Sequence, residues 1–412
     1  MSSMRIGTIT FDWYPFDPLV RRLAEAAVDA GYTVDVICLR QEHEKNYEEY
    51  NGVHIYRLPM NRGFGQSLSS TVMSWCWFLL LAAITIIRLH VKHRYDVIHV
   101  HNMPDFLVFA ALIPKLLGAK VILHVQDVSP ELMSAKAKGR KSRIITRLAI
   151  WQERISTAFA DSVITVGWPF EQLLLQRGVA QEKITIILNS ANPKLFPASR
   201  RSIPTAASSN EGWPFIVMYH GTVAERNGLD IALRAISLAR HVVPQLRLDI
   251  QGRGEYLSCI KELAEELGLS DCVVFTDPCP SDEVVDFVVH GDVGIIPYRS
   301  DGFMDLVLPT KAYEFAWMHR AMIASDTPAI RSMFRPESIA LCDPSKPEEF
   351  AEAIIDLYQH PEKRARMVAH AAEDYKPFQW EMMAKRYEQL LNSLSWKQER
   401  GGEPHSAVSN RV

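Results

Sequence analysis

Cysteine is scarce in this 412-residue chain. Cys38, Cys76, Cys259, Cys272, Cys279 and Cys342 form no C-x-x-C pair, and none falls at zinc-finger spacing from a histidine. A zinc knuckle is excluded, and the thiols read as small buried hydrophobes in a reducing compartment. Charge of one sign is also lacking. Lys+Arg 45 against Asp+Glu 48 leaves a net charge of -3. That excludes a protein that grips nucleic acid through phosphates, while leaving room for a small anion site. Gly 20 and Pro 23 are ordinary counts, and hydrophobics make up 48%, so neither a collagen-like nor a disordered chain is expected. No D-x-D triplet occurs. The carboxylate cluster that usually holds a catalytic Mg²⁺ or Mn²⁺ is missing, so no metal and no other cofactor is expected. The apolar start, Ile6 to Phe11, is short and broken by Asp12. It is a poor secretory leader, and a cytoplasmic protein is expected.

One long uncharged run stands against that plainness. Thr71 to Ile87 reads TVMSWCWFLLLAAITII, and Arg88, His90, Lys92, His93 and Arg94 follow at once. As a helix it reaches roughly 25 Å, short of a hydrocarbon core. It reads as a core helix with a wet basic end, as a helix on the inner face of the cell membrane, which would make the protein peripheral there, or, least in keeping with its length, as a true span.

The length suggests two or three domains. Apolar runs at 5–11, 34–39, 96–100, 120–125 and 162–166 alternate with helical patterns. This is the β-α-β rhythm of a parallel sheet with helices on both faces, and ligands bind at the carboxyl rim of such a sheet. The rhythm stops near Pro197 and resumes at 215–219, continuing through 246–250, 273–275, 294–296, 322–324 and 339–341. The expected fold is therefore α/β, with two doubly wound parallel-sheet domains. Residues 1–197 form the first and 214–377 the second. Residues 198–213 read as a linker, 378–395 as a closing helix and 396–412 as a disordered tail.

Leu308-Pro309-Thr310-Lys311-Ala312-Tyr313-Glu314 is the strongest local constellation. Thr310 suits a helix N-cap, free backbone N–H groups there favour an anion, and Lys311 adds a full charge. Glu314 falls on the same helix face and can accept from vicinal hydroxyls such as those of a ribose. The competing reading is a surface ion pair between Lys311 and Glu314. In the stretch 219–230, Gly221 allows close approach to the backbone beside Thr222, and Arg226 can clamp phosphate oxygens. Gly252 lies in a G-x-G turn after the next strand. In the first half, Tyr14 and Asp17 follow one strand. His101, Asn102 and Asp105 follow another, and His124, Asp127 and Glu131 surround the end of a third. These are the candidate hydroxyl partners of a sugar acceptor.

With WYPFDPLVRR, YDVIHVHNMPDFL, DVSPEL, YHGTVAERNGLDIALRA, DVGIIPY and LPTKAYEFA in this order, the chain resembles glycosyltransferase family 4, the retaining GT-B nucleotide-sugar transferases. The likeness is to bacterial members that build exopolysaccharide, capsule or O-antigen. It implies two facing Rossmann-like domains, a last helix returning to the first, and a donor held by the second. It also implies a glycan or lipid-linked acceptor. Glu314 then matches the second glutamate of an E-x7-E motif that holds ribose, Arg226 and Lys311 the cations at the diphosphate, and Gly221 the phosphate-loop glycine. His124 and Asp127 are the candidates near the reacting sugar. The chain departs from the family pattern in three places. Leu306 stands where the first glutamate belongs, with Asp301 and Asp305 nearby. Asn227 replaces a lysine. Gln126-Asp127 replaces His-Asp. The expected activity is retaining sugar transfer with the leaving phosphate as base. The alternatives are a catalytically weak nucleotide-sugar-binding scaffold and a nonhydrolysing epimerase.

Overall fold

The computed structural model describes residues 3–60, 68–131, 140–201, 214–243, 245–278 and 283–395. The tail at 396–412, all of the expected linker beyond Arg201, and Cys279 lie outside the described residues. The chain divides into two compact units. The first comprises Met1–Thr165, Leu174–Ile187 and Ala384–Val412, and the second comprises Val166–Leu173 and Leu188–Met383.

The first unit is built on an eight-stranded sheet. In chain order its elements are β1 (Arg5–Trp13), α1 (Pro18–Asp29), β2 (Thr33–Leu39), β3 (Tyr47–Tyr50), β4 (Val53–Leu58), α2 (Leu68–His93), β5 (Val97–His101), α3 (Leu112–Leu116), β6 (Lys120–Val125), α4 (Arg140–Phe159), β7 (Ser162–Thr165) and β8 (Ile184–Ile186). The sheet order is β3-β4-β2-β1-β5-β6-β7-β8, parallel except for the β3–β4 hairpin. The runs of wholly buried residues in β5 and β7 show a sheet covered on both faces. Steps from β4 to β5, β5 to β6 and β6 to β7 all move the same way across the sheet. Right-handed crossovers therefore put α2, α3 and α4 in one layer, and α1, whose step runs the other way, on the opposite face. Phe11 of β1 meets Phe78 of α2 edge-on at 5.1 Å on the first of these faces.

The second unit has a six-stranded parallel sheet. Its strands are β9 (Phe215–His220), β10 (Leu246–Gln251), β11 (Val273–Thr276), β12 (Val293–Ile296), β13 (Ala321–Ser325) and β14 (Ala340–Cys342), with α5 (Leu229–Ala239) after β9 and α6 (Thr310–Trp317) after β12. The order β11-β10-β9-β12-β13-β14 reverses at β9, so the crevice between the ends of β9 and β12 is the topological switch point. The last helix, α7 (Trp380–Leu394), buries Met383, Tyr387 and Leu391 at four-residue spacing, while Met382 is exposed.

The strands expected from apolar runs are present. The β3–β4 hairpin and β8 add to them. The hairpin turns at Asn51–Gly52, where both residues have positive φ, the backbone of the tightest hairpin turns. Two cysteines depart from the buried reading. Cys76 and Cys259 lie on exposed faces of their helices, whereas Cys38, Cys272 and Cys342 are buried.

Candidate donor site

The second unit gathers its expected residues at the switch point. β9 ends in Tyr219 and His220, and the chain turns at Gly221 with φ 119°. α6 begins at Thr310. Pro309 rather than Thr310 occupies the cap position, and it makes no side-chain cap bond. The expected threonine cap is thus corrected. Pro309 sits in extended backbone, its ring suits the helix boundary, and Thr310 is the first helical residue, exposed.

Lys311 is buried and crosses under the Gly221 turn. Its Nζ lies 3.8 Å from the centre of the Tyr219 ring and 5.1 Å from that of Tyr298. It also donates to the Tyr298 hydroxyl at 3.4 Å. A β-carbon on Gly221 would sit 3.5 Å from that Nζ, so a full positive charge stands directly behind bare backbone. Burial works against the charge, and the two tyrosine hydroxyls more than offset it, leaving the ammonium raised above its ordinary value. Burial also raises the Tyr298 hydroxyl, with Lys311 and then Arg226 pulling the other way. Arg226 itself is exposed on a single 3₁₀ turn, Glu225–Asn227. Both expected cations are thus felt at the Tyr298 hydroxyl.

Glu314, one turn along α6, faces His220, with Oε2 3.1 Å from Nε2. Burial, and then Lys311, push the His220 ring down to about 3. A ring that low is neutral near pH 7, so the contact is dipolar and not an ion pair. The surface pair between Lys311 and Glu314 gives way to this arrangement, in which a buried cation serves Gly221 and a carboxylate stands beside a neutral imidazole.

Asn227, standing where a lysine was expected, is structural. Its Nδ2 donates to the Thr222 carbonyl at 2.7 Å and to the Tyr219 hydroxyl at 2.8 Å, and that hydroxyl donates to the same carbonyl at 2.6 Å. The Gly221–Thr222 turn is thus held rigid from below, with Thr222 exposed. Gly252 is required for packing, since a β-carbon there would lie 1.9 Å from the Gly221 carbonyl oxygen. Leu308 is half-buried and Pro309 buried. Leu306 is half-buried at the end of a 3₁₀ turn. Asp301 and Asp305, the nearby carboxylates, are engaged within that loop. Asp301 accepts from the Phe303 and Met304 amides, and Asp305 from Ser300.

The acceptor-side expectation in the first unit needs more correction. Asn102 Nδ2 donates to Asp105 Oδ1 and to the Asp127 carbonyl, each at 2.7 Å, and its Oδ1 accepts from the Gln126 and Asp127 amides. Two donors and two lone pairs are then used, which fills an amide's capacity and leaves none for an acceptor. Asp105 is buried and bonded to Asn102, and burial raises its carboxyl. His101 is buried, with Nδ1 3.0 Å from Gln126 Nε2. Glu131 is tied to Arg177, which also clamps the buried Glu153. Tyr14 is buried, and Asp17 caps α1 through the Leu19 and Val20 amides. Asp127 is exposed at the end of β6, its backbone pinned at N and O by Asn102.

His124 is wholly buried and stacks with His99 and His101 at ring-centre distances of 5.4 and 4.9 Å. That removes it from substrate reach. The nitrogens of these three rings lie within 4.8 Å of one another. Imidazole lone pairs lie in the ring plane, and planes inclined by only 12° to 38° aim alongside each other and do not converge on one ion. His99 Nδ1 instead meets the Tyr387 hydroxyl at 2.8 Å.

Tyr219, Tyr298, His220 and Asn227 carry no role in the sequence reading. The signal for Tyr298 was its position just past the end of β12, beside the switch point.

Residues 18–190 match the family of glycosyl transferase 4-like domains, and residues 203–374 match glycosyl transferases group 1. D-inositol 3-phosphate glycosyltransferase of Paenarthrobacter aurescens is 21% identical, aligned over 89% of each chain. Sucrose-phosphate synthase of Thermosynechococcus elongatus shares the fold with a TM-score of 0.75 at 19% identity, over 95% of this chain and 99% of that one. The Anabaena protein HepE, solved in complex with UDP-glucose, shares it with a TM-score of 0.70 at 16% identity, over 95% and 100%. With two Rossmann-like domains, a cation behind the Gly221 turn and both halves matched, the chain belongs to the GT-B glycosyltransferases of family 4, enzymes that draw on nucleotide sugars.

Proposed function

We propose that the protein moves a sugar from a nucleoside-diphosphate donor to an acceptor hydroxyl with retained anomeric configuration, without a metal, in the assembly of a bacterial surface polysaccharide. The observation that carries this is Lys311, buried behind Gly221 with its Nζ 3.5 Å from where a β-carbon would stand. As the sugar–phosphate bond lengthens, charge grows on the diphosphate. A preorganised ammonium behind bare backbone stabilises that charge most at the transition state. Arg226 adds a second cation from the exposed side. Glu314 accepts from the two ribose hydroxyls, and its neutral neighbour His220 leaves the carboxylate its charge. The UDP-glucose held by HepE supports a uridine donor. On the acceptor side, His124 is buried and Asp127 is the exposed carboxylate. The leaving phosphate as base suits that arrangement: it takes the hydroxyl proton as the hydroxyl oxygen bonds to the anomeric carbon from the face the phosphate leaves, and attack on that face gives retention.

The test is turnover on a panel of nucleotide sugars, with product anomers assigned by NMR and with EDTA present or absent. The expected result is nucleoside diphosphate release, an elongated acceptor of unchanged anomeric configuration, and full activity in EDTA. An inverted product overturns retention. An isomerised donor without release points to the epimerase, and activity lost to EDTA and restored by Mg²⁺ overturns metal independence.

A further inference from the structure

The layer formed by α2, the 3₁₀ segment Asp105–Ala111 with α3, and α4 has an unusual outer side. α2 buries Trp75, Phe78, Ala82, Ile86 and His90, a stripe of three- and four-residue steps facing the sheet. The opposite stripe of a helix in a water-soluble α/β layer is normally polar. Here it is Met73, Trp77, Leu80, Ile84, Arg88 and Val91, all exposed. The feature does not end with α2. α4 turns Ile144, Leu148 and Trp151 outward, and α3 with the residue after it exposes Leu112, Ile113, Leu116 and Leu117. Trp77 is 52% exposed, Trp151 61% and Leu116 75%.

These elements are neighbours. Trp75 of α2 meets Phe106 at 6.4 Å, and Phe109 meets Phe159 of α4 at 5.1 Å. The right-handed crossovers place them on one side of the sheet, so their outer stripes point the same way, away from it. A contiguous apolar face of this kind marks a surface with a partner.

Charge selects the partner. Arg88, Lys92, Arg147 and Arg154 are exposed on the same elements. The carboxylates in these segments are Asp105 and Glu153, and both are buried. The whole chain is slightly acidic, so a face without an outward acid departs from its average. Exposed tryptophans and long aliphatics beside arginine and lysine match the headgroup boundary of an anionic bilayer. A second copy would set like charges against each other.

α2 is long and apolar enough, by length and composition, to cross a membrane. Its inner stripe, however, packs on the sheet as the crossover between β4 and β5. We propose that this layer docks the protein flat on an anionic lipid surface, with Trp77 and Trp151 at headgroup depth and Arg88, Lys92, Arg147 and Arg154 against acidic headgroups. This does not depend on the donor-site reading.

The full chain is sedimented with phosphatidylcholine vesicles and with vesicles that also contain phosphatidylglycerol. Binding is expected only to the anionic vesicles, weakened by salt and reversed by an alkaline carbonate wash. Trp77→Ser with Trp151→Ser lowers the partition at least about tenfold. Arg147→Gln with Arg154→Gln lowers it on the order of fivefold per cation. Both pairs keep the wild-type unfolding midpoint, since the residues are exposed. No anionic-vesicle binding at low salt overturns the proposal, as does binding indifferent to both pairs. Retention after carbonate would mean a span. Lipid-independent self-association abolished by the tryptophan pair would mean that a second copy covers the face.

Discussion

At the residue scale, Lys311 has a position that a surface lysine never has. Its ammonium is buried against two tyrosine rings and one glycine backbone. Replacing it with Met keeps the volume and removes the charge. The expected loss in turnover is on the order of 10²- to 10³-fold, with a smaller change in donor affinity, because the charge matters most as the diphosphate leaves. Glu314→Gln should act the other way round, weakening donor binding more than it slows turnover. Steady-state kinetics on both variants separate the roles, and equal effects on kcat and KM in the two would refute the division. Lys311, Glu314 and Gly221 were legible because their chemistry is written within one segment or one turn. Tyr298 and His220 were not, because their meaning arises only where β9, β12 and α6 converge. The same limit misled the reading of Asn102 and Glu131. Sequence shows a polar group near a strand end, but not that another element already uses its hydrogen bonds.

At the scale of elements, the strands were readable because a sheet covered on both faces demands continuous apolar runs. The β3–β4 hairpin escaped because Tyr47–Tyr50 is polar and half exposed, an edge strand with little apolar signature. The Asn51–Gly52 turn was its available signal. The exits of β5 and β6 are joined by a device no strand pattern reveals, the Asn102 amide. Asn102→Ala would take the shared acceptor from the Gln126 and Asp127 amides and the donor from Asp105 Oδ1, leaving Asp105 held by Gln152 on its other oxygen. Its expected cost is about 2–4 kcal/mol by chemical denaturation. The loss of activity should exceed what that stability loss explains, since the backbone of Asp127 is no longer pinned. A variant as stable as wild type would show that the staple does not carry the rim.

For the whole molecule, acid should act unevenly on the two units. The first buries His99, His101 and His124 as neutral rings, with His99 pushed down to about 3 by burial and the other two well below the ordinary histidine range. Below about pH 6.5 the unfolded chain takes up protons that these rings refuse, so the folded state loses about 1.4 kcal/mol per pH unit per ring. Glu153 opposes this. Burial raises it to about 7, so between roughly pH 7 and 4.5 the folded state takes the proton first and gains one such increment. Asp17 and Asp105, also raised by burial, act in the same sense as Glu153, while His90 and His93, lowered by burial, add to the loss; five rings against three carboxyls leave the first unit losing stability on balance as pH falls. The second unit has His220 as its buried counterpart, also near 3, and should respond less steeply. Urea midpoints measured from neutral pH downward test this, and His124→Leu provides the control. It removes one refused proton, so the acid slope of the affected transition should fall by about 1.4 kcal/mol per pH unit while neutral stability holds. A slope unchanged by that substitution would mean that the imidazole stack is not what makes the first unit acid-sensitive.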